Sequence, residues 1–144
     1  MAEKTLSDIS DAMRKIDFCM LTTRSEGGEL ASRPMSNNGD VRYEGDSFFF
    51  SYDDARSVSD IGQDPKVGVS FAGGKGVFGR PPIFIHVEGH AELIRDRQAF
   101  EAHWVPDLER WFKDGVDTPG LVLIKVRAQR VHYWDGEDEG EVKV

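Results

Sequence analysis

Phe48 to Ser70, FFFSYDDARSVSDIGQDPKVGVS, decides how the rest of the chain is read. It opens as an aromatic run with strand character and turns at Ser51-Tyr52-Asp53-Asp54. It then continues into Ala55 to Ile61, which suit a short helix ending at Gly62. Asp64-Pro65 marks a second turn, after which Val67, Val69 and Phe71 alternate with small or polar residues in a further strand. Strand, polar turn and helix start bring hydroxyls, backbone N–H groups and an arginine together, the equipment for holding a phosphate. Ser51, Arg56 and Ser57 are the candidates for that role.

Working outward, residues 4 to 16 place Leu6, Ile9, Met13 and Ile16 on one helical face, with Thr5 or Ser7 available as N-cap. Phe18 to Thr23 reads as a buried strand, Glu26-Gly27-Gly28-Glu29 as a hairpin turn, and Leu30 to Ser36 as the returning strand. Pro34 cannot donate a ladder hydrogen bond, so that strand belongs at an edge or stops pairing near Arg33, where the arginine would face an opening. Val41 to Tyr43 is a candidate for brief pairing, and Ala72 to Pro82 is a loop. Its glycines lack the spacing of a nucleotide-binding P-loop. Ile83 to Ile94 is a long strand with Gly89 as a bulge or bend. Asp96 caps a helix from Arg97 to about His103, and Leu108 to Lys113 forms a second helical segment. Leu121 to Arg127 is the last strand, continuing or re-forming at Arg130 to Trp134. The order argues for a mainly β, antiparallel barrel or sandwich with peripheral helices.

The 144 residues fit one domain, 1–144, ending in an acidic tail at about 135–144 that reads as a solvated terminus. A formal net charge of −8 with scattered bases argues against nucleic acid or anionic lipid as partner. The start MAEKTLSDISDAM has no long apolar stretch, and a cytoplasmic location with no membrane span is expected. The single Cys19 sits in an apolar run and reads as a core residue.

Four histidines prompt a search for a metal site, but His86 and His90 would lie about 13 Å apart on one strand face, and none is expected. No serine or cysteine nucleophile motif appears, so the catalytic residues are unknown and an enzyme here needs a cofactor to carry the chemistry. Arg33 and Arg56, each among hydroxyl residues, are the strongest signal. They suit a phosphate through bidentate hydrogen bonds, or else form ion pairs with Asp53, Asp54 or Asp60, and both readings stand. Phe48, Phe49 and Phe50 in succession must point aromatics to both faces of their strand. The second face needs a cover, from another subunit or a peripheral helix.

Phe18-Cys-Met-Leu-Thr-Thr, Ser32-Arg-Pro-Met35, Gly45-Asp-Ser-Phe-Phe-Phe-Ser51, Asp64-Pro-Lys-Val-Gly-Val69, Val87-Glu-Gly-His-Ala-Glu92, Trp111-Phe-Lys-Asp-Gly115 and Val131-His-Tyr-Trp-Asp135 resemble, in that order, the general stress protein branch of the pyridoxamine 5'-phosphate oxidase-like family. The resemblance implies a split β-barrel that forms a homodimer, with FMN in clefts between the subunits. By position it implies flavin contacts from Arg33, Pro34, Met35, Ser36 and Asn38, and from Phe50 and Ser51. It further implies phosphate contacts from Arg56 with Ser57 beside it, and Trp134 reaching in from the other subunit. The chain departs from the family in having Ser57 where a lysine is usual, Ala55 where a serine precedes the arginine, and Phe84 where the oxidases carry glutamine. Where the true oxidases hold their phosphorylated substrate with basic residues, Gly136 to Val144 is acidic, so pyridoxamine phosphate oxidase activity is not expected.

Three functions follow from the resemblance. The first is an FMN-binding stress protein acting as a flavin-dependent oxidoreductase of unknown substrate. The second is a non-catalytic flavin-sequestering protein. The third keeps the fold with deazaflavin or haem, for which His86, His90, His103 and His132 are the candidate iron ligands.

Overall fold

The computed structural model describes residues 3–144. Met1 and Ala2, which open the start read above as free of a long apolar stretch, lie outside the described residues. Helix α1, Leu6–Met13, is fixed by a reciprocal cap: the Thr5 hydroxyl accepts from the Asp8 amide at 3.2 Å, and the Asp8 carboxylate accepts from the Thr5 amide at 2.8 Å. It is shorter than the apolar spacing suggests, because Lys15 and Ile16 turn off it with bonds back to Ala12 and Met13. Strands β1, Phe18–Arg24, and β2, Leu30–Ser36, form the expected hairpin, paired through Ser36. Strand β3, Asp46–Tyr52, leads into α2, Arg56–Gln63, which runs one residue past Gly62 before β4, Lys66–Ala72. Strand β5, Phe84–Ile94, is followed by α3, Arg97–His103, capped by Asp96 as expected. Strands β6, Leu121–Asp135, and β7, Asp138–Val142, end the chain.

All pairings are antiparallel, in the order β2-β1-β4-β5-β6-β3, with β7 also on β6. The sheet is not closed. Strands β2 and β3 end the order unpaired with each other, which is the split of the expected split barrel. Pro34 therefore stands on an edge strand, where its missing N–H costs nothing. The β5–β6 register shifts between Glu88 and Gly89. A Cβ at Gly89 would lie 2.7 Å from a Val126 methyl and 2.9 Å from the Arg127 carbonyl, so only glycine fits the bulge.

The inner face of the sheet packs Leu21, Val69, Val87, Ile124 and Val131 against Ile9 and Met13 of α1 and Val58 and Ile61 of α2. A second cluster joins Phe50, Leu121 and Leu123 to Phe100 and Phe112. This answers the question raised by the three phenylalanines: Phe49 enters the main core, while Phe50 is covered by α3 and the segment after it in the same chain.

Three expectations are corrected. The acidic residues at 135–144 are not a solvated tail. β7 pairs with β6, burying Val142 and leaving Glu139 and Glu141 outward, because alternation puts only every second side chain inside. Val41 to Tyr43 forms no strand; the Tyr43 amide instead donates to the buried Ser10 hydroxyl at 2.8 Å. The helical segment at Leu108 to Lys113 is a 3₁₀ turn at Pro106–Arg110, which the proline at its start favours. The last strand continues through Arg130 to Trp134 without a break, the first of the two readings open for it.

Candidate functional site

The free edges of β2 and β3 border a cleft of about 1150 Å³. Pro34, Met35, Ser36 and Asn38 line it from β2 and the turn beyond, Phe50 and Ser51 from β3, and Trp104 and Trp111 from the segment after α3. Its wall is an aromatic stack of edges: Phe50 meets Phe100 at 5.9 Å, Trp104 at 5.0 Å and Phe112 at 6.4 Å, all steeply inclined. His103 also lines the cleft, stacked on Phe48 at 3.7 Å. Burial, helped by Lys125, pushes its pKa below the usual histidine value.

The turn after β2 is held by a residue that sequence reasoning passed over. The Asn37 amide donates to the carbonyls of Met13 and Ile16, at 2.8 Å each, pinning the cleft floor to the end of α1. An asparagine directly after a strand was the available signal. Asn38 accepts from the Asp40 amide at 3.0 Å, closing the same turn.

Arg33, Arg56 and Ser57 gather beside the cleft's strands rather than on its lining. The register Leu21↔Arg33 puts Arg33 on the inner face of β2. There its guanidinium donates to the Leu21 carbonyl at 3.2 Å and the Thr23 hydroxyl at 2.8 Å. The Thr23 hydroxyl in turn donates to Asp60 Oδ2 at 2.7 Å. Arg33 Nη2 lies 3.9 Å from that oxygen and Arg56 Nε 3.6 Å. Asp60 is one helical turn from Arg56 and 5% exposed, while the Arg56 side chain is 59% exposed. Burial pulls the Arg33 pKa down, Asp60 raises it, and Arg56 lowers it again. The two arginines thus converge, and their shared partner in the chain is Asp60. Ala55 provides no side-chain cap for α2, and Ser57 is buried in its first turn. Thr23 had gone unnoticed in the sequence; its place two residues from Leu21 on the same strand face is what exposes it.

Trp134 is elsewhere. It stands on the outer face of the sheet with Phe18, Met20 and Phe84, all between 41% and 55% exposed, around a hollow of about 430 Å³. His86 Nδ1 lies 2.8 Å from the Ser70 hydroxyl there, and His132 faces His86 across β5 and β6. His132 Nε2 is 3.5 Å from Glu88 and 3.7 Å from Glu141. His90 is exposed. Among the described residues no three His, Cys, Asp or Glu side chains are grouped to hold a metal ion. No helix among them is long and apolar enough to cross a membrane.

Residues 4–144 match the family model described as Pyridoxamine 5'-phosphate oxidase like. Among solved structures, a protein related to general stress protein 26 from Clostridium acetobutylicum superposes with a TM-score of 0.78 at 17% identity, covering 96% of this chain and 94% of its own. General stress protein 26 from Bacillus anthracis gives 0.73 at 21%, covering 92% and 93%. A heme binding protein from Mycobacterium smegmatis gives 0.77 at 14%, covering 99% of this chain and 59% of its own. No curated protein matches the chain.

Proposed function

We propose, for a chain that belongs to the pyridoxamine 5'-phosphate oxidase-like family, that it binds FMN in the cleft between β2 and β3 and acts as a flavin-dependent oxidoreductase of general stress protein type. The observation that carries this reading is the open split. Two edge strands border an aromatic cleft of about 1150 Å³, and the arginines next along each strand path, Arg33 and Arg56, converge. Small-molecule sites run to roughly 300–1,000 Å³, so a flavin has room.

The residues present suit the cofactor. Phe50 and Met35 offer apolar surface for a ring system, and Ser36 and Asn38 carry polar groups beside it. Arg56, Ser51 and the uncapped start of α2 would hold the phosphate, with Ser57 and Arg33 behind them. Bound FMN would supply hydride and electron transfer, which no side chain here can supply alone. Pro34, without an N–H, leaves the β2 edge unable to recruit a further strand at that point, keeping the cleft open.

The same reading makes the protein a cytoplasmic homodimer. The exposed Phe18, Met20, Phe84 and Trp134 on the outer face are the surface that a second copy would cover, bringing Trp134 toward the partner's cleft. The charge of β7 and its turn, which carry Glu137, Asp138, Glu139 and Glu141, argues against pyridoxamine phosphate as substrate.

Titration of the purified chain with FMN, followed by flavin fluorescence, tests the binding, and sedimentation tests the dimer. Saturable quenching at one FMN per chain supports the reading; a monomer that ignores FMN overturns it. Bleaching of bound flavin by NAD(P)H separates an oxidoreductase from a protein that only sequesters the cofactor. An absorbance spectrum with a Soret band instead of a flavin spectrum favours haem, for which His103 is the histidine that lines the cleft.

A further inference from the structure

The arginine pair carries its own anion. Thr23, Arg33 and Arg56 all address a single oxygen, Oδ2 of Asp60, at 2.7, 3.9 and 3.6 Å. This is not a surface ion pair that solvent can open freely. Asp60 is 5% exposed and the Thr23 hydroxyl clamps it from β1, so salt screens it little. Two guanidiniums and one carboxylate leave a single net positive charge, where two unpaired arginines would leave two. Arg33 has already committed donors to the Leu21 carbonyl and the Thr23 hydroxyl. An incoming phosphate would therefore find mainly Arg56, and a like charge behind it.

We propose that Asp60 is a specificity-determining residue: an internal counter-anion that holds the affinity of Arg33 and Arg56 for a dianionic phosphate ester below what two free guanidiniums would give. The ligand class rests on the FMN reading above; the geometry does not. The consequence is a cleft that depends on its aromatic wall more than on its phosphate anchor. The chain should then distinguish FMN from its dephosphorylated form only weakly. A charge-assisted hydrogen bond is worth roughly 1.5–3 kcal/mol, about tenfold to hundredfold in affinity, and Asp60 offsets about one of them.

The test uses the full chain and its D60N variant, in which the side-chain oxygen still accepts from Thr23. Affinities for FMN and for riboflavin, which lacks the phosphate, are read by fluorescence, and protection by inorganic phosphate is read by thermal unfolding. The expected result is FMN binding about tenfold tighter in D60N, riboflavin binding unchanged, and a larger phosphate-induced rise in Tm. FMN affinity unchanged or weakened in a folded D60N overturns the proposal and leaves Asp60 a structural partner of Arg33. If neither protein binds FMN, the flavin reading fails separately and phosphate decides: greater protection of D60N supports the counter-anion, equal or absent protection overturns it. If D60N does not fold, the wild-type chain decides. A preference for FMN over riboflavin of no more than about tenfold, with no Tm shift at about 1 mM phosphate, supports the proposal. A larger preference or a clear shift overturns it.

Discussion

Tyr133 and Gly140 face each other across the β6–β7 pair so closely that a Cβ on the glycine would lie 2.5 Å from the tyrosine hydroxyl and 2.8 Å from the ring carbon that bears it. Tyr133 is 4% exposed and cannot swing away. The G140A variant is expected to lose about 1–3 kcal/mol, the usual penalty for overpacking, as a lower urea midpoint with an unchanged slope.

The same strand separates a buried position from exposed ones within three residues. Placing a charge at Val142, 5% exposed, should destabilise the chain by more than 2 kcal/mol, whereas E139K on the exposed side should stay within about 0.5 kcal/mol. Thermal melts of V142D and E139K measure the contrast. Equal effects would return this segment to the status of a loose tail.

Phe50 joins β3 to α3 and to the segment beyond it through three edge-on aromatic contacts. F50A should cost about 3–5 kcal/mol and loosen the cleft wall. Hydrogen exchange is expected to rise across Arg97–His103 and Pro106–Arg110 while β1 and β4 keep their protection.

Cys19 is 2% exposed, and burial pushes its thiol pKa up to about 12 from 9.0. The native chain should resist thiol reagents at pH 8 and react fully once unfolded. Between pH 9 and 12 the unfolded state gives up this proton and the folded state keeps it. Stability therefore falls as pH rises through that window, with a slope of at most about 1.4 kcal/mol per pH unit from this group. C19A should flatten the lower part of the decline; Tyr43, whose pKa burial also raises, contributes above the usual tyrosine range.

Much of the architecture was legible because it is written in local chemistry. Pro34 announced an edge, Gly89 a bulge, Asp96 a cap and Cys19 a core position, and each needs only its neighbours in the chain to be read. What stayed hidden depends on residues far apart in sequence. The run Asp138–Val142 looks solvated until β6 is placed beside it, where Arg130 and His132 meet Glu141. The cover over Phe50 comes from α3, some fifty residues on, and nothing local says so. For the candidate site, Arg33 and Arg56 stood out in the sequence, and Asp60, which both approach, was one of three carboxylates open as their partners. Thr23, which ties them together, speaks only through the β1–β2 register.

Strand β6 holds β5 along one side and both β3 and β7 along the other. Residues 46–52 must therefore wait for residues 121–127 before their ladder can form, a wait of some seventy positions during synthesis. Pairing at that sequence separation carries a loop-closure cost, so folding should be slow for a domain of this size, and the β3 ladder forms only once residues 121–127 are available. Until then β3 is a bare aromatic ribbon, and nascent chains stalled before Leu121 are the species a chaperone would be asked to shield.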